Sequence, residues 1–141
     1  MKSKIFFYPV KDNQRKLQLI CNKAQESIAQ EKKLLIAVPN AEAAQFIDTL
    51  LWKSPADSFI PHAITQKSSK EWIVITFNNG ENLNQAERLL NLCHGLHPTF
   101  QQFQEVYELL DESSPDKTNL SRRKLDAYKE LGVNVVVRAE G

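Results

Sequence analysis

The chain has 141 residues, 42% of them hydrophobic and 25% charged, the make-up of a soluble globular domain long enough to bury a core without disulfide or metal staples. Its formal net charge of +1 excludes whole-molecule electrostatics as a drive toward nucleic acid or anionic membranes, so any such role needs a local patch. The two cysteines, Cys21 and Cys93, lack Cys-x-x-Cys spacing and read as free thiols. With no signal-like or bilayer-length apolar run, the expectation is a cytoplasmic single domain over residues 1–141 with no membrane partner.

Ile5-Phe6-Phe7-Tyr8 reads as a short buried strand ended by Pro9. Residues 13–31 place Leu17, Ile20, Cys21, Ala24 and Ile28 on one helix face. The unbroken apolar run Leu34–Val38 suits a central strand covered on both faces. Asn40 then caps a second helix with apolar residues Ala43, Ala44, Phe46, Ile47, Leu50 and Leu51. Trp72–Phe77 is the third strand, followed by the turn signal Asn78-Asn79-Gly80. Residues 82–93 fit either helix or strand, with a strand favoured from Arg88. Gly95 and Pro98 break the chain before a short turn near Phe100 and Phe103. Val106–Leu110 is a strand, Asp111–Asp116 an acidic loop, residues 117–131 a helix closed by Gly132, and Val133–Arg138 a final strand. This alternation predicts an α/β sandwich with a mainly parallel sheet.

Catalytic and cofactor signals are missing. The four glycines, at 80, 95, 132 and 141, do not open a helix after a strand, so no glycine-rich phosphate loop is formed and no cofactor is expected. His94 and His97 near Cys93 lack evident further ligands for a metal. A small α/β enzyme using His62 or Cys93 stays a rival reading, to be favoured by a pocket with convergent polar groups.

Two stretches stand out instead. From Leu51 to His62 the chain carries Trp52, Phe59, Ile60 and Pro61 in a helix end and a proline-broken connection, where apolar groups signal contact with another surface. From Lys117 to Lys129 there are five basic residues and one acid, Asp126. Basic heads beside partly exposed apolar groups suit an acidic peptide with a hydrophobic end, DNA phosphates, or a merely solvated helix face.

The string Leu51-Trp52, then Ser58-Phe59-Ile60-Pro61-His62, resembles the signature of the chi subunit of bacterial DNA polymerase III, an accessory protein of the clamp loader. Phe7-Tyr8, Leu35-Ile36-Ala37, Leu120-Ser121-Arg122 and Ala127-Tyr128-Lys129 with Gly132 resemble the same family in order. The resemblance implies a Rossmann-like three-layer fold without a nucleotide site, in a non-catalytic subunit with two binding faces. Trp52, Phe59, Ile60 and Pro61 would hold a psi-type clamp-loader subunit. Arg122, Lys124, Leu125 and Tyr128 would capture the acidic C-terminal tail of single-stranded-DNA-binding protein, giving an indirect association with single-stranded DNA. Family members often carry an aromatic residue and a lysine where this chain has Leu125 and Asp126, and an acid there opposes an acidic tail.

Overall fold

The apolar run beginning at Leu34 forms a strand that lies inside a sheet, where both of its faces are covered by protein. The computed structural model describes residues 3–53, 60–77 and 81–138. In chain order the elements are β1 (Lys4–Val10), α1 (Asn13–Ala29), β2 (Leu34–Ala37), α2 (Ala41–Lys53), β3 (His62–Ile64), β4 (Ile73–Thr76), β5 (Arg88–Asn91), a 3₁₀ turn (Phe100–Gln102), β6 (Glu105–Asp111), α3 (Pro115–Glu130) and β7 (Asn134–Val137). The seven strands make one sheet in the order β3-β4-β2-β5-β6-β1-β7, and every pairing is parallel.

Strand alternation divides the core in two. Phe6, Tyr8, Leu34, Ile36, Ile73, Ile75 and Tyr107 point to the face covered by α1 and α2, where Ile20, Ala24, Ile47 and Leu51 meet them. Ile5, Phe7, Leu35, Val74, Leu89 and Val106 point to the other face, closed by Tyr128 of α3 and by Phe100 and Phe103 of the turn region. The result is the expected three-layer α/β arrangement.

Local signals explain the helix starts. Asp12 caps α1 by accepting from the Arg15 amide at 2.8 Å, and Asn40 caps α2 through the Ala43 amide at 2.8 Å. At the far end of α3, Gly132 adopts φ +76 and donates to the Lys129 carbonyl at 3.0 Å.

Four expectations are corrected. β1 does not stop at Pro9 but runs to Val10. Amide hydrogen bonds of Lys4 to Gln104 and of Glu112 to Val10 show that even-numbered residues of β1 pair with β6, so the missing amide of Pro9 faces the β7 side. There β7 has already ended, its last partner being Phe7, so no ladder bond is lost. The helix read over 117–131 starts two residues earlier, because Ser114 caps it and Pro115 occupies its first turn. His62, read as part of a connection, opens an edge strand, His62–Ile64, on β4, and Ile60, read on the same connection, is a core residue, 3% exposed. Trp72 and Phe77 flank β4 rather than belong to it. The expected turn at 78–80 and the segment 54–59, with Phe59, lie outside the described residues.

Candidate functional site

The two stretches singled out by sequence fall on opposite faces of the sheet. The first is at the end of α2. Trp52 is 58% exposed, and its ring sits 4.9 Å from that of His62, tilted by 59°. The imidazole is wholly buried beneath it. His62 Nδ1 is 2.6 Å from the Ile60 carbonyl oxygen, and the Asp48 carboxylate lies 3.0 Å from Nε2 without hydrogen-bond alignment. Pro61 is half-buried beside it. The corner is thus an aromatic shelf: His62 is held at Nδ1 by the Ile60 carbonyl with the Asp48 carboxylate close to Nε2, and the indole resting on it keeps most of its surface in water. Ile60 contributes from below, through the core.

The second is α3. Its inward side carries Ser121, Leu125 and Tyr128 against the sheet. Tyr128 is fully buried, edge-on to Phe7 and Phe100, with its hydroxyl donating to Glu108 at 2.6 Å. Glu108, also fully buried in the middle of β6, accepts from Lys124 Nζ at 2.5 Å and from the Asn91 amide at 2.9 Å. Lys124 donates as well to the Cys93 carbonyl at 2.8 Å. Burial pushes the Glu108 carboxyl above its ordinary range, and the contacts with Lys124, Tyr128 and Asn91 pull the other way. Burial, with the neighbouring Glu108, raises Tyr128 as well. Of the four residues expected to meet a tail, then, Tyr128 and Lys124 are drawn inward and pin the helix to β6 and to the end of β5. Arg122 is exposed and Leu125 half-buried. A 100° step per residue puts Thr118, Arg122, Leu125 and Lys129 along one flank of α3, with Asp126 bordering it.

The opposite flank borders a cleft of about 120 Å³ at the carboxyl ends of β5 and β6. Lys16, Leu92, Leu109, Asp111, Lys117, and Leu120 are among its lining residues. Its charges are mixed. Lys16 is 3.6 Å from Asp111, whose pKa burial would raise; Ser113, by hydroxyl and amide, and Lys16 outweigh this and hold it below the usual value.

Glu108 and Asn91 were not singled out by sequence. Both had a signal: a polar residue inside an apolar strand, in Val-Tyr-Glu-Leu-Leu and Leu-Leu-Asn-Leu. Among the described residues no geometry supports the chemistry suggested for His62 and Cys93. His62 is sealed beneath Trp52, and burial raises the Cys93 thiol, although Lys124 opposes the shift, keeping it in its less nucleophilic form. Among the described residues no group of three or more His, Cys, Asp or Glu side chains is placed to hold a metal ion. No helix among them is long and apolar enough to cross a membrane.

The chain is similar in sequence to known proteins. The chain is 27% identical over 120 residues to DNA polymerase III subunit chi of Escherichia coli K12, covering 84% of this chain and 81% of that one. It is 25% identical over 116 residues to DNA polymerase III subunit chi of Haemophilus influenzae Rd, covering 81% and 78%. The family model described as DNA polymerase III chi subunit, HolC, matches residues 1–136. With the match running from β1 into β7, the chain belongs to the DNA polymerase III chi subunit family.

Proposed function

We propose that this protein is a non-catalytic accessory subunit of the replicative polymerase that joins two partners: a psi-type clamp-loader subunit at the Trp52 corner and the acidic tail of single-stranded-DNA-binding protein at α3. The observation that carries the reading is the disposition of the two surfaces. Trp52 ends a helix on one face of the sheet and Arg122 projects from the helix on the other, so both partners can bind at once. Tethering of this kind raises the local concentration of polymerase at coated single strands without any new chemistry.

At the first surface the exposed indole, held on its shelf by His62, is a preorganised anchor, and Pro61 extends the apolar footing. Phe59 completes this face in the proposal. At the second, Arg122 offers a planar fork to a carboxylate, Lys129 adds charge, and Leu125 provides apolar contact. Lys124 and Tyr128 act indirectly, by fixing the helix through Glu108. Asp126, beside Arg122 on the helix surface, opposes the tail.

The test is a titration with a peptide copying the acidic tail of single-stranded-DNA-binding protein, paired with co-purification of a psi-type subunit. Arg122→Ala weakens the peptide several-fold, Asp126→Lys strengthens it, and both effects shrink as salt rises. Wild-type protein that ignores the peptide at low salt removes the tail-binding half of the reading. Steep salt-dependent affinity for naked DNA, with no protein partner, assigns the basic helix to phosphates instead.

A further inference from the structure

The outer edge of β7 is an unused half of a ladder. β7 closes the sheet, and among the described residues nothing pairs with it on the side away from β1. The Arg138 amide donates to the Phe7 carbonyl at 2.9 Å. Alternation along a strand then turns the backbone groups of Val136 toward β1, and those of Val135 and Val137 outward. Natural edges are protected by charge, proline or a bulge; this one is Asn-Val-Val-Val, with Val137 51% exposed and Leu131, just before it, 57% exposed. Val135 and Val133 lean against the α3 side of the core.

The edge is flanked by a mainly basic helix, with Asp126 its one acid between Lys117 and Lys129. The Lys117, Leu120 and Lys124 flank of α3 faces the end of β5. α3 also packs on β6 and β7, so the other flank, with Arg122, Leu125 and Lys129, overlooks β7. Arg122 and Lys129 are two helical turns apart, about 10 Å along the axis. The edge therefore offers an outward backbone ladder, with Val133, Val135 and Leu125 half-buried against the core beside it and the exposed Arg122 and Lys129 on the adjoining flank of α3.

Resting on the tail reading above, we propose that the β7 edge takes an extended acidic segment as an eighth strand, bonded to the outward groups of Val135 and Val137, with alternate acidic side chains turned toward Arg122 and Lys129. Strand addition supplies affinity through the main chain and leaves selection to the alternate side chains. A second copy of this chain fits the edge less well, because it would bring two basic helices together.

Val135→Pro provides the test. It deletes an outward amide while leaving the bonds to β1 in place, a position where proline is tolerated on an edge strand. The probe is the fluorescent tail peptide, measured by anisotropy, with circular dichroism and thermal melting as controls for folding. Val135→Pro should lower affinity about tenfold, the equivalent of one to two net hydrogen bonds, at unchanged secondary structure. A second measurement needs no variant. Two peptides are N-methylated at alternate amides, one on the odd and one on the even positions, and titrated against wild-type protein. A strand has only one set of amides facing its neighbour, so one peptide should lose binding and the other keep it. Equal behaviour of the two peptides, or undiminished binding by well-folded Val135→Pro, overturns strand addition and leaves the Arg122 site standing. Wild-type protein without affinity for the unmodified peptide overturns both. A dimer in sedimentation that Val135→Pro dissolves gives the edge to a second copy and overturns the acidic occupant.

Discussion

Glu108 is the residue on which the position of α3 depends. It sits in the middle of β6 with no exposure, and its bonds reach Lys124 and Tyr128 on the helix and Asn91 at the end of β5. A buried ion pair adds little net stability, but removing one partner strands the other. Glu108→Ala should therefore cost about 3–5 kcal/mol in urea unfolding. The double change Glu108→Leu with Lys124→Met should recover most of the loss; if the single change alone is harmless, the pair does not hold the helix. His97 has a different dependence. Burial lowers its pKa below the ordinary 6.5, its Nδ1 accepts from the Thr99 amide at 3.2 Å, and Nε2 has no hydrogen-bond partner among the described residues. The unfolded chain takes up the proton more readily, so this stabilisation is complete above pH 6.5 and declines as pH falls from there toward the lower folded value. Urea midpoints measured on either side of that pH should show the decline, and His97→Phe should flatten it.

At the scale of elements, α3 depends on its first turn as well as on Glu108. Ser114 accepts from the Lys117 amide at 3.2 Å, and Ser114→Ala should lower stability by about 1 kcal/mol on thermal unfolding. On α2, Trp52→Ala should leave the unfolding midpoint nearly unchanged, since the indole is mostly in water, yet reduce binding of a psi-type partner by about 2 kcal/mol. A fall in stability with no effect on the partner would make the indole simply a lid for His62. Elements with a dense local pattern were legible: the Leu34–Val38 run, the Asn40 cap, the glycine after α3. β3 was not, because three residues are too few for a period to show and its strand character comes from pairing with β4. The Ser114-Pro115 start carries a cap-and-proline signal of its own, masked in sequence by the acidic run around it. Of the candidate surfaces, sequence indicated which helices matter but not which sides of them. Tyr128 and Lys124 turn inward because of Glu108, a partner at least 16 residues away that no local pattern connects to them.

For the molecule as a whole, the parallel sheet invites a nucleotide at its carboxyl edge, but the residues there lead us to expect none. The β1–α1 turn offers Lys11 and Asp12, and the Asp12 carboxylate already occupies the amide at the start of the helix where a phosphate would bind. Calorimetry with ATP should show no saturable heat; a site mapping to that turn would reverse this conclusion. The same sheet sets an order of events during synthesis. β1 is made first, yet both of its neighbours are made last: β6 at residues 105–111 and β7 at 134–137. At common translation speeds, Ile5, Phe6, Phe7 and Tyr8 wait roughly ten seconds for their partners. Through that interval the Ile5–Tyr8 segment, buried in the finished sheet, has no neighbouring strand to cover it, so the nascent chain carries an uncovered apolar first strand until β6 and β7 have been made.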